Sequence, residues 1–169
     1  MTKYSYLYYC RLKHGEERWW YDDGMVWGSR FWNEGKKEGN EIWYFNNGQQ
    51  EVTYFWRQGQ REGVGYWYFM DGQLEVEHYW QAGQLHGKEV HYYHNGILKL
   101  VRNWQIGSKD GIEQRWNELG NLICKKYWVK GRSTHIFPYL LTCKTARTTF
   151  ITLFVLFVVS IIVLGIQFA

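Results

Sequence analysis

The chain has 169 residues, 20% of them aromatic, with 11 Trp, 18 Gly and a single Pro, a composition that favours strands joined by tight turns. Its formal net charge of +4 is local, because residues 1–131 hold 17 Lys and Arg against all 16 acids and the remaining bases, Arg132, Lys144 and Arg147, follow them. So near-neutral a body excludes a basic surface for nucleic acid. Three unevenly spaced cysteines, Cys10, Cys124 and Cys143, exclude a disulfide framework or a thiolate metal site and point to a reducing compartment.

The N-terminus, Met1 to Tyr6, lacks the apolar run of a secretory signal. Beyond it a tryptophan returns every 24 residues, at Trp32, Trp56, Trp80, Trp104 and Trp128. Three glycine series keep the same step: Gly15/39/63/87/111, Gly24/48/72/96/120 and Gly35/59/83/107/131. An internal repeat therefore organises the chain. One unit, residues 39–62, holds two short runs of aromatic and β-branched residues separated by Asn47-Gly48, and Asp23-Gly24, Asp71-Gly72 and Asn95-Gly96 match that turn. Asn-Gly and Asp-Gly between apolar runs predict β-hairpins with two-residue type I′ turns, which need positive φ at both central residues. The loop from Gly35 to Gly39, and its equivalents, leads to the next hairpin.

The expected fold is all-β: an elongated, single-layer antiparallel meander of five 24-residue hairpins over residues 1–131. Strands are expected near 16–21 and 25–33 and at steps of 24 from there, with Tyr4 to Arg11 as a leading half-unit. Eleven strands about 4.8 Å apart make a ribbon on the order of 50 Å long. Its end units are expected to deviate, as Leu119-Gly120 already does from the Asn/Asp-Gly rule.

A two-residue turn at Asn47-Gly48 makes partners of residues whose numbers sum to 95. Gly39 then faces Trp56, and Gly15/Trp32, Gly63/Trp80, Gly87/Trp104 and Gly111/Trp128 repeat the pair. A ring lying over a glycine in the opposite strand shields bare backbone, which gives these residues a structural role. Alternation puts Trp43, Phe45, Val52 and Trp56, then Trp67, Phe69, Leu74, Val76 and Trp80, on a dry face. Ile42, Tyr44, Glu51, Thr53 and Phe55, then Tyr66, Tyr68, Glu75, Glu77 and Tyr79, form a mixed face. The column Trp19, Trp43, Trp67 continues as His91 and Arg115, so the dry face fades along the ribbon. Trp19, Trp43, Phe45, Val52, Trp67, Phe69 and Val76 are the candidate residues for contact with a protein partner, a lattice or a second copy.

Residues 132–149 read as a basic juxtamembrane linker in which Cys143 is a palmitoylation site or a free thiol. From Phe150 to Ala169 no residue is charged, and a helix of that length, at about 1.5 Å per residue, matches the roughly 30 Å hydrocarbon thickness of a bilayer. The segment is expected to be a transmembrane helix. Lys125, Lys126, Lys130, Arg132, Lys144 and Arg147 follow Glu118 with no acid among them, so the repeat domain is expected on the cytoplasmic side, or its topological equivalent, of a membrane in which the chain is tail-anchored.

Nothing in the pattern carries catalysis. Among His78, His86, His91 and His94, residues three apart on a strand point to opposite faces, which argues against a metal site. Glu75 and Glu77 find no acid or His partner, and the glycines precede strands rather than the helix N-terminus that binds phosphate. No enzyme activity, cofactor or metal is expected.

The stretch Trp56-Arg-Gln-Gly59-Gln-Arg-Glu-Gly63-Val-Gly-Tyr-Trp-Tyr68-Phe-Met-Asp71-Gly72 resembles a MORN-type repeat, most of all the variant with Asn/Asp-Gly turns. The resemblance covers roughly residues 4–131. It implies an open β-meander that acts as a scaffold, in protein contact or in membrane-proximal organisation, and it brings no catalytic residues. The distribution of such repeats extends the expectation to an inner capsid or membrane-associated component of a large DNA virus particle. The alternative is a cellular tail-anchored adaptor that recruits a soluble partner to a membrane.

Overall fold

The computed structural model describes residues 4–9 and 11–134 and folds them into one antiparallel sheet. Its strands, in chain order, are β1 (Tyr4–Tyr9), β2 (Leu12–Trp20), β3 (Val26–Asn33), β4 (Lys36–Tyr44), β5 (Gln50–Arg57), β6 (Gln60–Arg61), β7 (Gly63–Tyr68), β8 (Leu74–Gln81), β9 (Gln84–Tyr92), β10 (Leu98–Gln105), β11 (Ser108–Lys109), β12 (Gly111–Trp116), β13 (Leu122–Val129) and β14 (Arg132–Thr134). Each long strand pairs with the next in the chain, while the short β6 and β11 extend the pairing of β5 and β10. This is the predicted meander with one further strand. Arg132, expected in the linker, pairs with Val129 at its edge. Appreciable contacts run only between hydrogen-bonded neighbours, so among the described residues no second layer covers either face.

No helix among the described residues is long and apolar enough to cross a membrane. The expected span, Phe150 to Ala169, lies outside them, as do Cys10, Cys143, Lys144 and Arg147.

The two kinds of turn are exchanged relative to expectation. At Asn47-Gly48 only the glycine has positive φ (82°). Gly48 N–H donates to Phe45 O and Phe45 N–H to Gln49 O, which makes a three-residue loop ending in a left-handed glycine. Asn47 is there for its side chain, whose Oδ1 accepts Gln49 N–H while its Nδ2 donates to Met70 O in the next loop along the edge. The positive-φ pairs required of type I′ turns lie at the other edge: Glu34-Gly35, Gln58-Gly59, Ala82-Gly83, Ile106-Gly107 and Lys130-Gly131.

The sum-of-95 register nevertheless holds from Gly39↔Trp56 to Trp43↔Val52. The pairing then shifts to Tyr44↔Gln50, leaving Glu51 as a bulge. One extra loop residue and one bulged residue cancel. A bulge also breaks the alternation of faces: Glu51 and its counterpart Trp27 line one depression with Trp43, Val52 and Tyr54, so Glu51 belongs beside the Trp face rather than opposite it.

All five Gly/Trp pairs form as expected. At Gly39 and Gly63 the reason is backbone rather than coverage. A Cβ on Gly39 or Gly63 would meet nothing within 4 Å, so no ring lies over them. Gly39 has φ 75° at a bulge where the β3–β4 register jumps between Arg30↔Glu41 and Phe31↔Glu38.

Ile106 is the least suitable of the non-glycine residues held at positive φ, being β-branched, and it is 68% exposed. Ile106→Asn is therefore expected to stabilise the chain by about 1 kcal/mol in urea unfolding followed by tryptophan fluorescence.

Candidate functional site

The two most buried large side chains among the described residues are acids, Glu89 and Glu113. Glu17, Glu41, Glu89 and Glu113 are 4, 4, 1 and 1% exposed, whereas among the described residues the buried apolar ones are only Val76, Val90 and Leu100. The four acids keep the 24-residue step and alternate with bases across adjacent strands, through the pairs Glu17↔Arg30, Arg30↔Glu41, Glu89↔Arg102 and Glu113↔Lys126. A transverse row of alternating charge thus runs over one face. Three tryptophans of the 24-residue series lean their indoles onto the row, and in two of them, Trp32 and Trp104, the Trp follows two residues beyond an arginine of the row. Trp32 Nε1 donates to Glu17 (2.7 Å), Trp56 Nε1 to Glu41 (2.6 Å) and Trp104 Nε1 to Glu89. Lys13 and Arg30 complete the shell of Glu17 at 2.8 Å each.

For Glu17 and Glu89 burial raises the carboxyl pKa, but the hydrogen bonds outweigh it. Those from Lys13, Arg30 and Trp32 leave Glu17 below the ordinary carboxylate value, and those from His91, Arg102 and Trp104 hold Glu89 far below it. Trp32, Trp56 and Trp104 thus hold the acids through their indole N–H, whereas Trp80 Nε1 and Trp128 Nε1 are buried without a hydrogen-bond partner. The column that replaces Trp19, Trp43 and Trp67 toward the C-terminus joins the same system: His91 bonds Glu89, and Arg115 donates to Glu113 at 3.0 Å.

The predicted interaction residues fall into three places. Trp19 and Trp43 stack with ring centres 5.0 Å apart, and Trp27 meets Trp43 edge-on at 5.2 Å. Gly28 makes this possible, since a Cβ there would come within 2.4 Å of the Trp43 ring. Trp67 packs edge-to-face with Tyr54 (4.9 Å) and His78 (4.2 Å). Val52 and Val76 flank it on the paired strands. Phe45 and Phe69 stand apart at loop entries beyond β4 and β7, with Phe69 against His94. The dry face is thus an aromatic surface on a charged lattice. Rings are also well exposed at Phe31, Phe55 and Tyr79, of which Phe55 and Tyr79 were expected on the mixed face.

The four histidines do not converge. His78 and His91 lie 6.1 Å apart, both against Glu89, while His86 lies by Tyr79 and His94 pairs with Asp71. No group of three or more His, Cys, Asp or Glu among the described residues could hold a metal ion. Of the bases expected beside a membrane, those within the described residues are Lys125 and Lys126 in β13, Lys130 in the last turn and Arg132 in β14.

The buried acids are what the sequence reading missed. Their signal was available, because Glu17, Glu41, Glu89 and Glu113 repeat with the period of the tryptophans.

A family model described as the MORN repeat variant matches residues 13–34 and 85–105. These are the two stretches in which acid, arginine and Trp are all present, as Glu17/Arg30/Trp32 and Glu89/Arg102/Trp104. No curated protein matches the chain.

His78 yields a test of the row. Burial pushes its imidazole down to about 4, against the opposing pull of Glu89. The unfolded chain, with an ordinary His near 6.5, then binds the extra proton between those values, so stability is full above about 6.5 and falls as pH drops toward 4. His78→Gln is expected to flatten this slope, by at most about 1.4 kcal/mol per pH unit, in denaturation measured from pH 7 to 5.

Proposed function

We propose that the chain is a non-enzymatic scaffold that presents its repeat sheet to another protein while Phe150 to Ala169 holds it to a membrane, with a virus-particle membrane as the setting that the distribution of such repeats suggests. Repeats of this type are generally protein- or membrane-interaction modules. The observation that carries the reading is the bare sheet itself: aromatic rings line both faces, and among the described residues nothing covers them. Apolar surface left open on this scale marks an interaction site.

The N-terminal units are the best candidates for the contact. Trp19, Trp27 and Trp43 already brace one another over Gly28, and rings that are fixed in advance lose little entropy on binding. Glu51, in the depression beside Trp27 and Trp43, adds a carboxylate that orients a cationic group of the partner.

Cross-linking of the full chain in its native membrane, with identification of the neighbours, tests this directly. Trp43→Ser with Trp67→Ser is expected to weaken capture of the principal neighbour by about tenfold or more, while Tyr44→Ser with Tyr68→Ser leaves it within about twofold. Equal losses from the two pairs would remove the preference for the Trp face. Deletion of residues 150–169 is expected to release the chain from the membrane fraction, and its retention there would overturn the anchor.

A further inference from the structure

The acid row lacks one member. Where the other units carry Glu17, Glu41, Glu89 and Glu113, the third unit has Gly65. The groups that would surround an acid at that point are still in place. Arg61 occupies the position of Lys13, Lys37 and Lys109, Trp80 that of Trp32, Trp56 and Trp104, and His78 that of Arg30 and Arg102. Arg61 Nε, Trp80 Nε1 and His78 Nδ1 are all buried, and none has a hydrogen-bond partner.

The geometry gathers Trp80 and Arg61 around one spot, while His78 Nδ1 turns to within 3.9 Å of Glu89. Trp80 Nε1 lies 3.4 Å from where a Cβ on Gly65 would be, and His78 is the direct cross-strand partner of Gly65. The Arg61 guanidinium meets only ring faces, 3.9 Å from the Tyr54 centre and 4.8 Å from that of Trp80. Tyr54 replaces the arginine seen at position 30 and leans over the glycine, its Cδ1 3.1 Å from the same Cβ point. Buried donors without an acceptor are costly and call for a specific explanation. The neighbouring units show which acceptor this lattice takes: a carboxylate that receives an indole N–H together with a cation.

We propose that the third unit is a carboxylate-binding site, completed by an acidic side chain of a partner protein. Arg61 swings off the Tyr54 ring, and the incoming Asp or Glu accepts hydrogen bonds from Trp80 Nε1 and the guanidinium, as Glu17 does from Trp32 and Arg30. This rests on the reading of the sheet as a protein-contact surface and adds the chemistry of the contact.

The test uses the full chain and the indole N–H resonance of Trp80, assigned through Trp80→Phe, at constant ionic strength. A capped Gly-Glu-Gly peptide is expected to move that resonance saturably, and the Gly-Gln-Gly peptide to leave it in place. The resonances of Trp32 and Trp56, whose acceptors are built in, stay fixed and report that each variant is folded. Arg61→Gln is expected to weaken the response by about tenfold, the loss of one charge-assisted hydrogen bond. Should that variant unfold, Arg61→Lys, which keeps the charge without the fork, is expected to weaken it less. The double variant Y54R/G65E supplies acid and arginine from within the chain and should abolish it.

No movement with the glutamate peptide, equal movement with the glutamine peptide, or unchanged affinity after Arg61 replacement would overturn the site. A response to acetate alone would assign it to a free anion and overturn the protein source. If the site fails while cross-linking still depends on Trp43 and Trp67, the contact surface stands without it. If both fail, so does the scaffold reading.

Discussion

The structure depends on how a one-layer sheet obtains a buried interior. An ordinary domain presses apolar faces together, but here no second layer is present among the described residues, and only Val76, Val90 and Leu100 are buried as apolar residues. The interior consists instead of carboxylates held beneath indoles and guanidinium groups. A buried charge is costly unless its lone pairs are filled, and a pair broken by removal of one partner loses several kcal/mol. Glu17 and Glu89 meet the condition, each with three donors. At Trp32, Trp56 and Trp104 the arrangement needs a donor long enough to reach the acid from the next position along the strand, which only an indole N–H supplies among the rings without adding a second polar group.

The same row links architecture to recognition. Its bases lie under rings, with Arg30 4.5 Å from the centre of Trp19 and Lys37 4.1 Å from that of Trp56, so the aromatic surface is fixed by the charges beneath it. Among the described residues fifteen glycines have positive φ and serve the turns and bulges. Gly28 and Gly65 do not belong to that set, and at each a ring takes the space of the missing side chain: Trp43 over Gly28 and Tyr54 over Gly65. The first departure builds an aromatic cluster and the second leaves donors without an acid. The departures from the repeat, more than its regular members, distinguish one part of the ribbon from another.

Much of this was legible in the sequence. The period, the meander and the Gly/Trp pairing follow from residue spacing, because a 24-residue step with a turn signal in each unit admits few registers. The turn types were not legible, since Asn-Gly suits both a two-residue type I′ turn and a three-residue loop whose only left-handed residue is glycine. The register survived that error because the bulge at Glu51 restores the count, while the face of Glu51 did not. The buried acids escaped notice for a different reason. Glutamate in a strand reads as solvent-facing, and the break at Gly65 interrupts the column in its middle.

Glu16 and Glu17 are adjacent in β2 and alike in chemistry, but Glu16 pairs with Arg18 at an exposed site and Glu17 lies in the row. Equilibrium unfolding of Glu16→Gln and Glu17→Gln in the full chain compares them directly. A charged row that holds the sheet together requires a loss of about 3 kcal/mol for Glu17→Gln against less than about 0.5 kcal/mol for Glu16→Gln. Equal losses from the two substitutions would contradict it.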